Sequence, residues 1–206
     1  RVSTDEETGE TLRAGMGELH LEVYVERIRR EHRVLVAVGP PKVNYREAPT
    51  QEARFDVRHK KQSGGAGQFA HIVGRLLPLD PSQEEAFLFE DCVTGGRIPR
   101  QYIPAVEKGF RQGIVKGPVA GYPVVGLHVV LEDGSYHEVD SSDLAFQICA
   151  QTTMRENFRN THPVLLEPVM KLEIECPSQF QGSVVGDLTA RRGMVTGTEM
   201  SGAMCR

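Results

Sequence analysis

The chain has 206 residues, of which 39% are hydrophobic and 25% charged, and a net charge of −4. That length suits one domain or two small ones with a real core, and the composition excludes a disordered, collagen-like or coiled-coil chain. The acidic balance excludes a global field for nucleic acid, so any RNA contact must come from local patches. The basic residues are 18 Arg against 6 Lys, a bias that fits planar phosphate contacts and compositional habit equally well. Cys92, Cys149, Cys176 and Cys205 stand far apart with no C-x-x-C pair. This disfavours a structural zinc site and a disulfide framework, and it points to a reducing compartment. The longest apolar stretch, residues 119–131, is interrupted by Tyr122-Pro123 and His128 and is too short to cross a bilayer. The opening RVSTDEETGE has neither an initiator Met nor a leader, so the expectation is a fragment.

Taken in order, residues 2–16 read as a hairpin around Thr8-Gly9. Residues 17–32 repeat Leu21, Val25, Ile28 and His32 at helical steps, with Glu26 and Arg30 paired on the outer face. Leu19, Leu21, Val23 and Val25 also alternate as a strand would, but length and the basic last turn favour the helix. Residues 34–38 read as a buried strand closed by Gly39-Pro40-Pro41, a first boundary.

Residues 52–61, with Ala53, Phe55, Val57 and His59 on one face, and residues 68–77 alternate as two strands. The Gly-rich tract 62–67 joins them into a hairpin with a mobile tip. The acidic tract 80–85 reads as a solvated loop before a strand at 87–93. Residues 103–116 form a helix with Pro104 at its start, Val106, Phe110 and Ile114 on one face and Gly117-Pro118 as its stop. Gly109 and Gly113 inside it predict close packing. A strand at 124–131, a turn at Asp133-Gly134 and a helix at 142–159 follow, with Leu144, Ile148 and Cys149 inward and Ser141 and Asp143 capping. Pro163 and Pro168 mark a second boundary. Beyond it a strand at 169–176, a helix at 182–192 ended by Gly193 and a strand at 194–200 read as the start of a β-α-β unit. The expectation is one complete central domain of about 120 residues with an incomplete unit on each side.

The chemistry narrows quickly. No G-x-x-x-x-G-K-[ST] occurs, and Gly64-Gly65-Ala66-Gly67 lacks both the Lys and a following helix. His137, Asp140 and Ser141 fall within five residues, too close for a triad, and no G-x-S-x-G accompanies them. His59, His71, His128 and His137 lie on separate segments, so no metal site is expected. RNA contact is better founded. Arg54, Arg58, Lys60, Lys61 and Arg75 face Asp56 alone in the window around the Gly-rich tip. Glycines let a phosphate or base approach the main chain, and Gln68 and His71 carry groups suited to base edges. A flexible hairpin with solvated charges accounts for the same spacing, and Glu138, Asp140 and Asp143 repel phosphate unless they turn inward.

GMGELHLE (15–22), QSGGAGQF (62–69), IPAVEKGF (103–110), GSYHEVDSSDLAF (134–146), LLEPVMK (165–171) and GDLTARRG (186–193) resemble successive signatures of the translation elongation factor G family. The resemblance implies an α+β chain: a central domain IV related to domain 2 of ribosomal protein S5 at residues 42–164. Partial ferredoxin-like modules flank it, the end of domain III at 1–41 and the start of domain V at 165–206. It implies a GTP-dependent translocase that moves tRNA and mRNA through the ribosome, cytoplasmic and monomeric, with the GTPase domain and its GTP and magnesium outside this chain. No catalytic residue and no cofactor are expected within the chain itself.

Carried over by motif, the RNA-contacting tip comprises Ser63, Gly64, Gly65, Ala66, Gly67 and Gln68 in one loop and His137, Asp140, Ser141 and Ser142 in the other. Gln68 and His137 are its foremost contacts, and Arg58, Lys60 and Lys61 form a supporting basic patch. Ala66 stands where bacterial members carry Arg, and Phe69 where they carry Tyr, which shifts weight from charge to shape and hydrogen bonding. A recycling paralogue, a ribosomal protection factor and an RNA-modifying enzyme of S5-like fold are the alternatives; the tip sequences favour the translocase.

Overall fold

The computed structural model describes residues 1–5, 8–62, 67–79 and 86–206, which fall into two units, Arg1–Pro168 and Val169–Arg206. The predicted tip residues Ser63, Gly64, Gly65 and Ala66 and the acidic tract 80–85 lie outside the described residues. The first unit opens with a hairpin of β1 (Val2–Thr4) and β2 (Thr11–Arg13). Its turn sits at the predicted place, where the Thr8 N–H donates to Asp5 Oδ1 at 3.1 Å and Gly9 takes a φ of 67°. Helix α1 (Glu18–His32) follows, with Arg30 donating to Glu26 at 2.6 Å and Arg27 to Glu31 at 2.9 Å. These one-turn pairs, and basic residues facing the C-terminal carbonyls, support the helix although it buries no residue.

The strand expected at 34–38 does not form: residues 33–45 adopt no regular element, and Leu35 and Val38 face solvent. A strand needs a partner edge, and no described strand pairs with this segment.

The central domain contains β3 (Arg46–Ala48), β4 (Ala53–Lys61), β5 (Gln68–Pro78), β6 (Phe87–Asp91), α2 (Ile103–Gly113), β7 (Leu127–Ser135), α3 (Asp143–Asn157) and β8 (Val164–Leu166). Its sheet runs in the order β4-β5-β7-β6; the β6–β7 pair is parallel because α2 intervenes, and the other pairs are antiparallel. Period-two alternation sorts the strands. Phe55, Ala70, Ile72, Leu76, Leu127, Val129 and Leu131 turn toward α2 and α3, which bring Val106, Phe110, Phe146, Cys149 and Met154. Asp56, Arg58, His71 and Arg75 take the opposite face, as in an antiparallel sheet with one wet side.

Two sequence expectations fail here for packing reasons. Asp133-Gly134 is no turn; it continues β7 beyond a bulge in which Glu132 is the extra residue, held by Arg75 at 2.7 Å. A Cβ at Gly134 would collide with the His71 carbonyl. In α3 the inward face is Ala145, Phe146, Cys149, Ala150 and Met154, while Leu144 is exposed. The helix rotates to bury the larger Phe146, which stacks on Tyr102 at 4.9 Å. The N-cap is Ser142, whose Oγ accepts from the Ala145 N–H at 3.2 Å, flanked by the expected Ser141 and Asp143.

Gly109 explains itself in the α2–α3 contact. A Cβ there would lie 2.5 Å from the Gln147 carbonyl oxygen and 2.7 Å from Ala150 Cβ. Gly109→Ala is therefore expected to destabilise the domain by about 1–3 kcal/mol, because overpacking outweighs the gain of about 1 kcal/mol in helix propensity. Chemical denaturation checks it; a neutral or stabilising result would mean that the helices can separate.

At the other end of the sheet, β3 and β8 pair antiparallel, so the chain enters and leaves the domain side by side. Glu47, the middle residue of β3, is fully buried. Its carboxylate accepts the N–H groups of Val119 (3.1 Å), Ala120 (2.8 Å), Gly121 (3.0 Å) and Tyr122 (3.2 Å), so one side chain organises the connection from α2 to β7.

The second unit holds β9 (Cys176–Pro177), a single helical turn at Ser178–Phe180, α4 (Gln181–Ala190), β10 (Met200–Ser201) and β11 (Met204–Cys205). The expected strands at 169–176 and 194–200 shrink to their last residues, and the sheet is antiparallel in the order β10-β11-β9. Gly193 closes α4 as expected, its N–H donating to the Leu188 carbonyl at 2.7 Å. Among the described residues no helix is long and apolar enough to cross a membrane.

Candidate nucleic-acid interface

One end of the central sheet gathers most of the described residues singled out in the sequence. The β4–β5 ladder ends at the pair Lys61–Gln68, and residues 136–142 run from β7 into α3 beside it. Two hydrogen bonds join the loops: the Phe69 N–H donates to the Asp140 carbonyl at 2.9 Å, and Ser141 Oγ donates to the Phe69 carbonyl at 2.8 Å. The same Ser141 hydroxyl accepts the His137 N–H at 2.8 Å, and the Ser141 N–H returns to the His137 carbonyl at 3.1 Å. Tyr102 adds a hydrogen bond from its hydroxyl to the Ser141 carbonyl at 3.4 Å. The loop is thus braced to β5 and to the start of α2.

His137 closes this turn with its ring. Nδ1 accepts the N–H groups of Val139 at 3.3 Å and Asp140 at 3.2 Å, which assigns the ring proton of the neutral imidazole to Nε2. The side chain is 57% exposed, so Nε2–H is presented outward as a donor. Phe69 flanks the ring at 6.3 Å. Asp140 turns inward: its carboxylate lies 3.6 Å from His137 Nδ1 and over Gly67, where a Cβ would come within 2.8 Å of Oδ1. Glycine at 67 leaves room for the carboxylate, which any larger residue would push aside, and the inward turn removes one of the acidic groups that oppose phosphate.

The site residues divide by what their side chains touch. Ser141 and Ser142 spend their hydroxyls inside the protein, on the β5 link and the α3 cap, so they position the loop. His137, Asp140 and Ser141 are not arranged as a triad: the Ser141 hydroxyl is engaged by main-chain groups of His137 and Phe69 and, among the described residues, makes no hydrogen bond to an imidazole nitrogen. Gln68 accepts from His59 Nε2 through Oε1 at 2.9 Å, an interaction in which only the histidine can donate, and its amide N–H₂ makes no hydrogen bond among the described residues.

Arg58, Lys60 and Lys61 are exposed and, among the described residues, make no ion pair, whereas Arg54 and Arg75 are taken up by Glu52 and Glu132. His71 lies apart from the tip, between Asp56 at 2.8 Å and Ser135 at 2.9 Å. Sequence reasoning missed the bracing roles of His59, Phe69 and Tyr102, because the register of β4 on β5 and the contact between the loops that create them are set only in the folded sheet. Among the described residues, no group of three or more His, Cys, Asp or Glu is arranged to hold a metal ion.

Comparison with known proteins covers the whole chain. Residues 1–40 match the family model described as Elongation Factor G, domain III, residues 41–162 that of Elongation factor G, domain IV, and residues 164–206 that of Elongation factor G C-terminus. The chain is 59% identical over 98% of its length to Elongation factor G of Rhodopirellula baltica and 52% identical over its full length to Elongation factor G 1 of Syntrophus aciditrophicus. It is 49% identical over 98% of its length to Elongation factor G-1, mitochondrial, of Arabidopsis thaliana. It spans 29%, 29% and 27% of these relatives, less than a third of each. A crystal structure of a Thermus thermophilus protein superposes over the entire chain, and 30% of its own, with a TM-score of 0.87 at 43% identity. Matched end to end in sequence and in fold, the chain belongs to the elongation factor G family.

Proposed function

We propose that this chain is the RNA-contacting arm of a GTP-dependent ribosomal translocase, with residues 67–69 and 137–142 placed against tRNA and mRNA at the decoding centre. The observation that carries the reading is the tip itself, in which an outward Nε2–H of His137 and the exposed cations Lys60 and Lys61 lie at one end of a braced sheet, with the exposed Arg58 further back along β4, opposite His71. Phosphate contacts there supply affinity, and donors on His137 and Gln68 meet phosphate, ribose or base edges. The full-length protein acts in the cytoplasm as a monomer on the ribosome, contacting ribosomal RNA and proteins. GTP and magnesium belong to the family's motor; the sequence has no phosphate loop to hold them, and no step of this chain is routed through them.

Electrostatics gives the test. In the full-length factor, Lys60→Glu with Lys61→Glu is expected to weaken ribosome binding and to lower the slope of log affinity against log salt by about 2, roughly one per phosphate contact. An unchanged slope with unchanged affinity would remove the patch from the interface.

A further inference from the structure

The strand register of the second unit places two of the four cysteines together. In β9 and β11, Cys176 stands directly opposite Cys205, so their side chains share one face of the sheet, although 28 residues separate them in the chain. The neighbouring hydrogen bonds fix the kind of pair. The Ser178 N–H donates to the Ala203 carbonyl at 2.9 Å, and Glu199 and Arg206 exchange both main-chain bonds at 2.8 Å. By the two-residue alternation of an antiparallel ladder, the Cys205 main chain faces β9, and Cys176–Cys205 is a hydrogen-bonded pair with Cα atoms about 5.5 Å apart. That spacing falls within the Cα range a disulfide spans, about 4.4–6.8 Å, while the Cβ atoms of a hydrogen-bonded pair stand about 5 Å apart and must draw together by roughly 1 Å, a strain that makes the bond easier to reduce. Both thiols are free in the structure.

We propose that Cys176 and Cys205 form a reversible cross-strand disulfide, a peroxide-sensitive modification site in the second unit. Cys176 is the partly exposed member and Cys205 the buried one, which sets the order of attack. The Cys176 thiolate attacks a peroxide oxygen, the O–O bond breaks, and hydroxide leaves to give a sulfenic acid at Cys176. The Cys205 thiolate then attacks that sulfur; the S–S bond forms, the S–O bond breaks, and the departing hydroxide takes up a thiol proton as water. In total two thiols lose two protons and two electrons, and hydrogen peroxide becomes two waters. A dithiol reductant reverses the change by exchange.

The other cysteines do not compete. Cys149 is buried in the central core, where desolvation pushes its thiol up to about 11. Cys92 is exposed and donates to Glu90; desolvation first, and then that carboxylate, raise its thiol above the usual value. The bond would close a ring that contains α4, so oxidation restrains the helix and the Arg191-Arg192 pair that follows it.

The reduced 206-residue chain, treated with hydrogen peroxide, quenched by alkylation and digested without reductant, gives the test by mass spectrometry. A peptide pair joined through Cys176 and Cys205 is expected in at least tenfold excess over any pair containing Cys92, together with tryptic cleavage at Arg191 slowed several-fold. Cys205→Ser should stop the reaction at a sulfenic acid on Cys176 that a cyclic 1,3-diketone traps. The idea fails if the linkages formed in the native chain match those formed in denaturant. It also fails if Cys176 and Cys205 stay reduced while Cys92 is oxidised, or if Cys176 proceeds to sulfinic acid beside a free Cys205.

Discussion

Replacing Glu47 by alanine is expected to destabilise the central domain by about 3–5 kcal/mol, near the upper end of what a single substitution does. Glu47 is 0% exposed, and its carboxylate is the shared acceptor for the N–H groups of Val119, Ala120, Gly121 and Tyr122. Hydrogen bonds to an ionised group are worth about 1.5–3 kcal/mol each, and a stranded buried donor costs about 1–3 kcal/mol. The four do not sum, because Ala120 and Gly121 lie at the surface and their N–H groups regain water once the segment opens. Gly117 packs so closely against the carboxylate that a Cβ would overlap it, so the backbone is shaped around this side chain.

Glu47→Gln separates charge from volume. It keeps one oxygen for Ala120, Gly121 and Tyr122 but turns an N–H₂ toward the Val119 N–H, and a loss of about 2 kcal/mol is expected from that one opposed pair. Thermal unfolding of the 206-residue chain should show the Ala variant well below the Gln variant. A loss of less than about 1 kcal/mol for Glu47→Ala would show that the segment at 117–122 holds its shape without the carboxylate.

The second large effect lies at the tip and is kinetic. In the full-length factor, His137→Ala is expected to slow single-round translocation roughly 10- to 100-fold, the rate equivalent of about 1.5–3 kcal/mol for a lost hydrogen bond to a charged or buried partner. Ribosome binding should change less, because a contact made while tRNA and mRNA move acts on the transition state. GTP turnover should be nearly unchanged. Gln68→Ala should act in the same direction and more weakly, since its oxygen already serves His59.

The imidazole also staples its own loop through Nδ1, so a slow alanine variant alone would fit a purely structural role. His137→Asn resolves this. Its side-chain oxygen can accept the same N–H groups two and three residues on, as asparagine does in turns, but it has nothing at the position of Nε2. A rate as low as that of the alanine variant assigns the effect to the outward donor. Recovery of the wild-type rate assigns it to the loop and overturns the contact.

Much of the central domain was legible because its signals are local and agree with one another. Ala53, Phe55, Val57 and His59 alternate before a Gly-rich tract, and Val106 and Phe110 repeat at a helical step after Pro104. Each pattern matches the face that is buried. The residue types of the candidate tip stand in the sequence, but the partners that hold the described ones do not. Three kinds of feature were decided only by the tertiary structure. Residues 34–38 and 169–175 have strand-like composition, yet a strand exists only where another edge accepts its main-chain bonds. Asp133-Gly134 looks like a turn, but a bulge at Glu132 lets β7 run on, because the sheet's pairing outweighs the local turn preference. The roles of Glu47, Ser141 and the Cys176–Cys205 pair depend on contacts between residues 29 to 75 positions apart. Spacing along the chain carries no trace of such contacts, and only closure of the sheet and its register brings the partners within bonding distance.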